Sequence, residues 1–342
     1  METQLIKLTE ENSEEAIAQA AKLLLEGKIV GIPTETVYGL GANAYDAAAV
    51  REIFNVKGRP QDNPLIVHIS DLMMLNSIVK EITPEAAALA RRFWPGPLTI
   101  VLHKTERIPD VISCGLPTVA VRMPVHSVAS ALIRKAGVPV AAPSANLSGL
   151  PSTTTAQHVY DDLKGKIPMI LDGGPCDVGV ESTVISLTGE RPVILRPGII
   201  TLEQIREVLP DAVISEAVTH ELAPGEKAES PGMKYKHYSP KADVTLVRGS
   251  LEHFAQYVKQ VAACDAYAMC FDGEEESIEI PCISYGAKGD LNAQARRLFS
   301  VLRAVDRFNA SSVFVRLEPD TDPASAVYNR LIRSAANKVV EV

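Results

Sequence analysis

The chain has 342 residues, of which 46% are hydrophobic, and this length predicts two globular domains with a sizeable core. The 34 basic and 42 acidic residues sum to a net charge of −8, which argues against general electrostatic adhesion to nucleic acid or anionic membranes. Five cysteines without C-x-x-C spacing argue against a disulfide framework or a structural zinc site, and favour a reducing cytoplasm. An acidic N-terminus without an apolar signal segment, and the lack of a long apolar run, predict neither export nor membrane insertion.

Helical and extended patterns alternate along the first part of the chain. Asn12, Ser13 and Glu15 form a capping-box-like helix start, and the helical periodicity stops at Gly27. A buried strand follows over residues 28–33, then a polar, glycine-containing turn, then a helix from Asp46 through residue 54. Further strands are predicted at residues 64–69, 98–103, 118–123, 139–143, 167–172, 182–187 and 192–195. The pattern predicts an α/β domain with a mixed sheet over residues 1–209.

The chain changes character after this domain. Residues 210–240 show little periodicity and concentrate proline, glycine and charge, which is typical of a linker. Strands are then predicted at residues 242–247, 266–271, 282–285 and 312–317, and helices over residues 250–262, 290–308 and 324–335. This alternation predicts a smaller, parallel α/β domain over residues 241–342.

Two nucleotide-binding motifs were considered. The segment GLGANA (39–44) matches a G-x-G-x-x-A fingerprint, but its glycines come six residues after the strand ends, so glycines that permit an unusual turn are the better interpretation. The chain contains no G-x-x-x-x-G-K-[ST] motif. A bound nucleotide would therefore have its phosphates held by side chains.

Basic residues and a histidine occur in or beside predicted strands. Lys57 and Arg59 can present a point charge and a planar fork to one anion, although the local sequence alone favours solvated surface. Arg122 lies inside the apolar run TVAVRMP, where an unpaired guanidinium is costly to bury, so it must meet an anionic ligand or an internal carboxylate. For His68, in PLIVHI, the local sequence favours a satisfied core histidine.

Hydroxyl and amide side chains follow two predicted strands. The loop 142–149 offers Ser144, Asn146 and Ser148, and the segment 173–184 offers Ser182 and Thr183. Such residues most often cap helices or close turns, but ligands of open α/β sheets bind beyond strand ends. None of these serines has a G-x-S-x-G setting, so we interpret them as hydrogen-bond donors, not as nucleophiles.

Long, ordered motifs of this chain resemble a known family. Seven segments resemble the YrdC-type domain, at residues 33–44, 57–69, 93–102, 118–126, 139–149, 179–185 and 194–198. Residues 230–240 and the domain after them resemble the two-domain form of the threonylcarbamoyl-AMP synthase family. The resemblance implies an N-terminal YrdC-like mixed twisted sheet with flanking helices, and a smaller Rossmann-like C-terminal α/β domain.

The resemblance also implies a reaction. Bicarbonate or CO2 carboxylates the amine of L-threonine, and the carbamate oxygen attacks the α-phosphorus of ATP, accompanied by Mg²⁺, to release pyrophosphate. This nucleotidyltransferase needs positioning and charge neutralisation but no protein nucleophile. Its product would pass to a complex that modifies tRNA.

Site residues carry over at the matching positions. The resemblance implies L-threonine binding by Thr34, His68, Arg122, Ala142 and Ser182. It implies ATP binding by Lys57, Arg59, Thr118, Ser144, Asn146, Ser152 and Arg196, with Lys57 and Arg59 neutralising charge in catalysis. The basic and aromatic residues Lys234, Tyr235 and His237 of the linker are predicted to form a lid, and no metal ligand is predicted.

Two alternatives stay open, one from another functional class and one enzymatic. An RNA-binding module would fit a concave domain with a basic interior, but the net charge and the lack of an RNP-like aromatic motif count against it. A related domain that forms carbamoyl-adenylate would not require threonine.

Overall fold

The computed structural model describes residues 1–218 and 238–342, which form two compact units. The first unit contains Met1–Ser148, Thr153–Asp177 and the described part of Glu181–Lys234. The second contains Gly149–Ser152, Val178–Val180 and the described part of Tyr235–Val342. Both units are α/β structures, as the sequence predicts.

The first unit is built around one sheet. Its strands are β1 (Gln4–Lys7), β2 (Val30–Ile32), β3 (Gly39–Asn43), β4 (Ile66–His68), β5 (Leu98–His103), β6 (Thr118–Arg122), β7 (Val140–Ala141), β8 (Met169–Asp172), β9 (Thr183–Ser186), β10 (Val193–Arg196) and β11 (Val213–Ile214). Its α-helices are α1 (Ser13–Leu25), α2 (Ala47–Lys57), α3 (Leu72–Ile78), α4 (Pro84–Phe93), α5 (Asp110–Ser113), α6 (Ser127–Ala136), α7 (Ala156–Leu163) and α8 (Leu202–Arg206).

The strand order in this 11-stranded sheet is β1-β8-β2-β3-β7-β4-β6-β5-β9-β10-β11. β4 pairs with β6 and β5 with β9 in parallel, whereas β6 pairs with β5 and β9 with β10 in antiparallel fashion. The predicted mixed sheet is therefore confirmed.

The two faces of the central strands differ in chemistry. On one face, aliphatic side chains such as Val67, Ile100 and Val121 join the main hydrophobic core. The alternate residues of the same strands face the other way, as the period of two in a strand requires. That second face carries a small apolar cluster around Ala120 and Val184, together with His68 and Arg122 of the predicted site.

Several sequence-based predictions were wrong in detail. The predicted turn after residue 33 contains β3, in which Gly41 pairs with Val30. Glycine at this position lets Val140 of β7 approach closely, since a Cβ on residue 41 would lie 2.9 Å from Cγ1 of Val140. The Asn12 side chain makes no capping hydrogen bond to α1. The sheet also continues beyond the predicted domain end at residue 209, because β11 pairs with β10.

The second unit has its own sheet of five parallel strands. These are β12 (Asp243–Arg248), β13 (Tyr267–Cys270), β14 (Cys282–Ser284), β15 (Ser312–Leu317) and β16 (Val339–Glu341), in the order β14-β13-β15-β12-β16. The helices are α9 (Leu251–Val261), α10 (Leu291–Arg307) and α11 (Ala326–Ser334). The parallel α/β prediction is confirmed, and β16 is an additional edge strand that the sequence reading missed.

We predict that Gly198→Ala destabilises the first unit. A Cβ at this position would lie 2.3 Å from the backbone nitrogen of Thr183, so the strand start at Thr183 must shift. Overpacking of this kind lowers the free energy of unfolding by about 1–3 kcal/mol. The control is Gly189→Ala, where a Cβ meets no atom within 4 Å. Urea midpoints measure both, and equal midpoints for the two variants would contradict the prediction.

Candidate active site

A row of directly opposed residues crosses five strands of the first unit. His68 of β4 pairs with Arg122 of β6, and Arg122 pairs in turn with Thr99 of β5. Thr99 pairs with Val184 of β9, which pairs with Arg196 of β10. Directly opposed residues project from the same face of a sheet. The sheet register therefore brings together residues that lie far apart in the sequence.

Arg122 occupies the centre of this row and is almost completely buried. Its Nη2 lies 2.6 Å from Oε1 of Glu35, and each side chain is only 4% exposed. Its Nη1 donates to Oγ1 of Thr36 at 2.8 Å, and its Nε donates to the carbonyl of Gly96 at 3.3 Å. Of the two partners that the sequence left open, the structure shows the internal carboxylate, Glu35.

The loop that carries Glu35 is held by its own threonines. The Thr34 hydroxyl donates to the carbonyl of Val37 at 2.6 Å and lies 3.0 Å from Oγ1 of Thr36. The backbone nitrogen of Thr36 also donates to Oγ1 of Thr34, at 3.3 Å. The hydroxyl of Thr34, a predicted threonine ligand, is thus engaged inside the loop, while the Glu35 carboxylate faces the guanidinium.

His68 lies beside Arg122 and is buried. Burial, followed by the nearby positive charge of Arg122, lowers the pKa of His68 to about 3, so the imidazole is neutral at physiological pH. Its Nδ1 has no hydrogen-bond partner among the described residues. This differs from the satisfied core histidine that the local sequence favours, and leaves a buried polar atom next to the guanidinium.

Ser182 and Arg196 are in direct contact. Arg196 donates from Nε and Nη2 to the carbonyl of Ser182, at 3.1 and 3.0 Å, and from Nη2 to its Oγ at 3.2 Å. The Ser182 hydroxyl also lies 2.7 Å from Oγ1 of Thr99. Ser182 was predicted to bind L-threonine and Arg196 to bind ATP, so residues of the two predicted binding sites are in contact here.

Lys57 joins the end of α2 to the loop after β7. It is the last residue of α2 and is buried, and its Nζ donates to the carbonyl of Ser144 at 2.6 Å and also to that of Asn146. The backbone nitrogen of Ser148 donates back to the carbonyl of Lys57 at 2.9 Å. The hydroxyl of Ser144 donates to Oδ1 of Asn146. Lys57 is therefore not solvated surface, and three residues predicted for ATP form one cluster.

Three further predicted residues lie on or next to the elements that carry these two groups. Arg59 donates from Nη2 to the carbonyls of Asn63 and Pro64, both at 3.2 Å. The backbone nitrogen of Ala142 donates to the carbonyl of Ile66, which places it beside β4. Thr118 begins β6, four residues before Arg122 and thus about 13 Å from it along an extended strand.

Two groups of predicted residues lie elsewhere. Ser152 falls in a segment of the second compact unit, where its carbonyl accepts a hydrogen bond from Nε of Arg303 at 3.3 Å. The predicted lid residues Lys234, Tyr235 and His237 lie outside the described residues. Their roles stay predictions.

The sequence reading missed Glu35, Thr36 and Thr99 as residues of this site. A signal for Glu35 was present, because it is the only charged residue between Lys28 and Asp46. A single carboxylate in such a stretch needs a buried partner, just as Arg122 does. No comparable signal marks Thr99, whose position depends on the pairing of β5 with β6 and β9.

Family models match both parts of the chain. Residues 22–198 match the Sua5, YciO and YrdC family model, described as "Telomere recombination". Residues 200–336 match the model described as "Threonylcarbamoyl-AMP synthase, C-terminal domain".

Relatives and a solved structure match along nearly the whole chain. A threonylcarbamoyl-AMP synthase of Pyrococcus abyssi is 44% identical over 99% of this chain and 100% of its own length. One of Bacillus subtilis is 43% identical over 95% of this chain and 94% of its own. The crystal structure of P. abyssi Sua5 complexed with L-threonine covers 100% of both chains, with 42% identity and a TM-score of 0.90. Since these matches extend through both domains, the chain belongs to the threonylcarbamoyl-AMP synthase family in its two-domain form.

Proposed function

We propose that this chain is a nucleotidyltransferase that condenses L-threonine, bicarbonate or CO2 and ATP into threonylcarbamoyl-AMP and pyrophosphate. The observation that carries the proposal is the row from His68 to Arg196, in which a buried arginine lies between a neutral histidine and a serine–arginine contact. The planar guanidinium fork matches the geometry of a carboxylate, such as that of an amino acid. The family relationship and the P. abyssi complex with L-threonine support the same substrate.

The cluster around Lys57 is proposed to bind ATP. Phosphoryl-group chemistry is accelerated mostly by positioning and by neutralising charge, and fixed lysine and arginine side chains supply both. Lys57 is already fixed by the two carbonyls of Ser144 and Asn146, and Arg59 by those of Asn63 and Pro64. We propose that Arg196, which contacts Ser182, holds the phosphate that receives the carbamate oxygen.

Mg²⁺ is proposed to enter with the nucleotide. In the described residues, no group of three or more His, Cys, Asp or Glu side chains is arranged to hold a metal ion. Mg²⁺ in nucleotide enzymes commonly keeps several waters and relies on substrate phosphates, with few protein ligands. We therefore assign it to the ATP phosphates and name no protein ligand.

The setting of the reaction follows from its substrates. We propose a cytoplasmic enzyme whose product passes to a tRNA-modifying complex, and whose residues Lys234, Tyr235 and His237 close over the nucleotide. All five cysteines are free, as in proteins of reducing compartments. Within residues 1–218 and 238–342, no helix is both long and apolar enough to cross a membrane.

We predict that the purified chain releases pyrophosphate from ATP only when both L-threonine and bicarbonate are present, without tRNA. A coupled assay for inorganic pyrophosphate measures this, with each substrate omitted in turn. Release without threonine would indicate carbamoyl-adenylate formation instead. No release under any condition would contradict the proposed reaction and favour a binding module.

A second prediction concerns the shape of the Arg122 side chain. Arg122→Lys keeps a positive charge opposite Glu35 but lacks the planar fork that binds a carboxylate bidentately. We expect threonine affinity to fall by an amount typical of a lost charge-assisted hydrogen bond, about 1.5–3 kcal/mol. Arg122→Ala should also unfold more easily, because it leaves a buried carboxylate unpaired.

Calorimetric titration with threonine, in the presence of a non-hydrolysable ATP analogue, measures the affinity of Arg122→Lys. The control is Arg134→Lys, at an exposed position of α6. Normal threonine binding by Arg122→Lys would show that the fork is not used.

A third prediction concerns pH. An unfolded histidine titrates near pH 6.5, whereas the folded pKa of His68 is about 3, so the unfolded chain binds more protons between these values. Stability therefore falls as the pH decreases below 6.5. His68→Gln should remove this contribution, which is about 1.4 kcal/mol per pH unit.

Urea midpoints between pH 6.5 and 5 measure the slope. Some slope remains in His68→Gln, because burial also lowers the pKa of His126. The exposed variant His253→Gln is the control, and should keep the wild-type slope. A slope that is the same in wild type and His68→Gln would contradict a neutral, buried His68.

A further inference from the structure

The carboxylate of Glu35 is buried with few partners. The residue is 3% exposed, and Oε1 lies 2.6 Å from Nη2 of Arg122. Among the described residues, neither carboxylate oxygen receives a hydrogen bond of good geometry, and neither does Nη2 of Arg122 donate one. An ionised carboxylate can accept about four hydrogen bonds, and unsatisfied buried acceptors are costly. Glu35 therefore has capacity for a donor that the protein does not supply.

The surrounding loop does not fill this capacity. The Thr34 hydroxyl donates a hydrogen bond to the carbonyl of Val37, and the Thr36 hydroxyl oxygen accepts one from Nη1 of Arg122. His68, on the other side of Arg122, also has an unpartnered atom, Nδ1. The guanidinium thus has one open donor of its own, Nη2, and two open groups beside it: the Glu35 carboxylate and the neutral imidazole nitrogen of His68.

This arrangement of charges is complementary to a zwitterion. A free α-amino acid carries a carboxylate and an ammonium group on the same carbon. Its carboxylate can bind a cation while its ammonium group binds an anion that lies beside that cation. A buried ion pair with no other ligand neutralises itself but leaves hydrogen-bonding capacity unused. A zwitterion adds no net charge beside the ion pair, and so satisfies both groups without burying an excess charge.

We propose that Glu35 binds the α-ammonium group of L-threonine while Arg122 binds its carboxylate, so that this ion pair selects an α-amino acid. The inference rests on the proposed function and adds a specificity-determining residue to it. Without substrate, Glu35 occupies part of the guanidinium that the substrate carboxylate uses. Glu35 thus attracts the ammonium group and competes with the carboxylate.

A purely structural role for Glu35 makes a different prediction. If Glu35 only positions Arg122, its replacement should weaken every ligand that uses Arg122, whether or not that ligand has an amine. If Glu35 binds the ammonium group, only ligands with an amine should lose affinity. Ligands that keep the carboxylate alone should bind equally well or more tightly, because a competitor for Arg122 is gone.

The experiment compares two ligands on the full chain. The first is L-threonine, and the second is its 2-hydroxy analogue of the same configuration, in which a hydroxyl replaces the amino group. Calorimetric titrations with a non-hydrolysable ATP analogue present are made on wild type, Glu35→Gln and the exposed control Glu190→Gln. We expect Glu35→Gln to weaken threonine about tenfold or more, and to leave the analogue unchanged or tighter. Equal losses for both ligands, or no loss for threonine, would overturn the proposal.

Two further measurements keep the result interpretable. If Glu35→Gln does not fold, the ratio of the two affinities is measured in Glu35→Asp, whose shorter side chain should lower the preference for threonine, and an unchanged ratio would overturn the proposal. Pyrophosphate release by the wild type is followed in parallel. A wild type that binds threonine in a Glu35-dependent way but releases no pyrophosphate would support this inference and contradict the proposed function.

Discussion

The buried ion pair between Arg122 and Glu35 is the interaction on which the site depends. It joins the last residue of β6 to the loop after β2, and both side chains are nearly inaccessible. Taking two charges out of water is expensive, and removing one partner of such a pair typically destabilises a protein by about 3–5 kcal/mol. A hydrophobic pair could have filled the same space. The proposal that Arg122 and Glu35 receive a charged ligand accounts for the presence of this costly pair.

The pair also sets the chemistry of its neighbours. The positive charge of Arg122 adds to burial in lowering the pKa of His68, which keeps the imidazole neutral beside a guanidinium. Burial raises the pKa of the nearby Cys176 thiol, and the charge of Glu35 raises it further, so this cysteine is not a thiolate nucleophile. Among the described residues, the site thus contains fixed charges and dipoles but no activated nucleophile, which suits a reaction between substrates that the protein aligns.

The predicted binding residues of the first unit form two groups, each fixed by its own contacts. The sheet row holds His68, Arg122 and Arg196 on paired strands, with a shift of register in β10 between Ile194 and Arg196. The second group holds Lys57 through carbonyl oxygens of the loop after β7. The contact of Arg196 with Ser182 links the residues predicted for the amino acid to those predicted for ATP. Such prior fixing reduces the reorganisation that binding and catalysis would otherwise require.

The sequence by itself determined the α/β class, both sheets, most strands and the need of Arg122 for an anionic partner, because burial pattern and the cost of a buried charge are local properties. Family motifs also indicated the family. Only the tertiary structure decided that the partner is Glu35, that GLGANA contains a strand, and that Lys57 is buried against Ser144 and Asn146. These facts depend on strand order and register, which bring distant residues together and which no local pattern encodes.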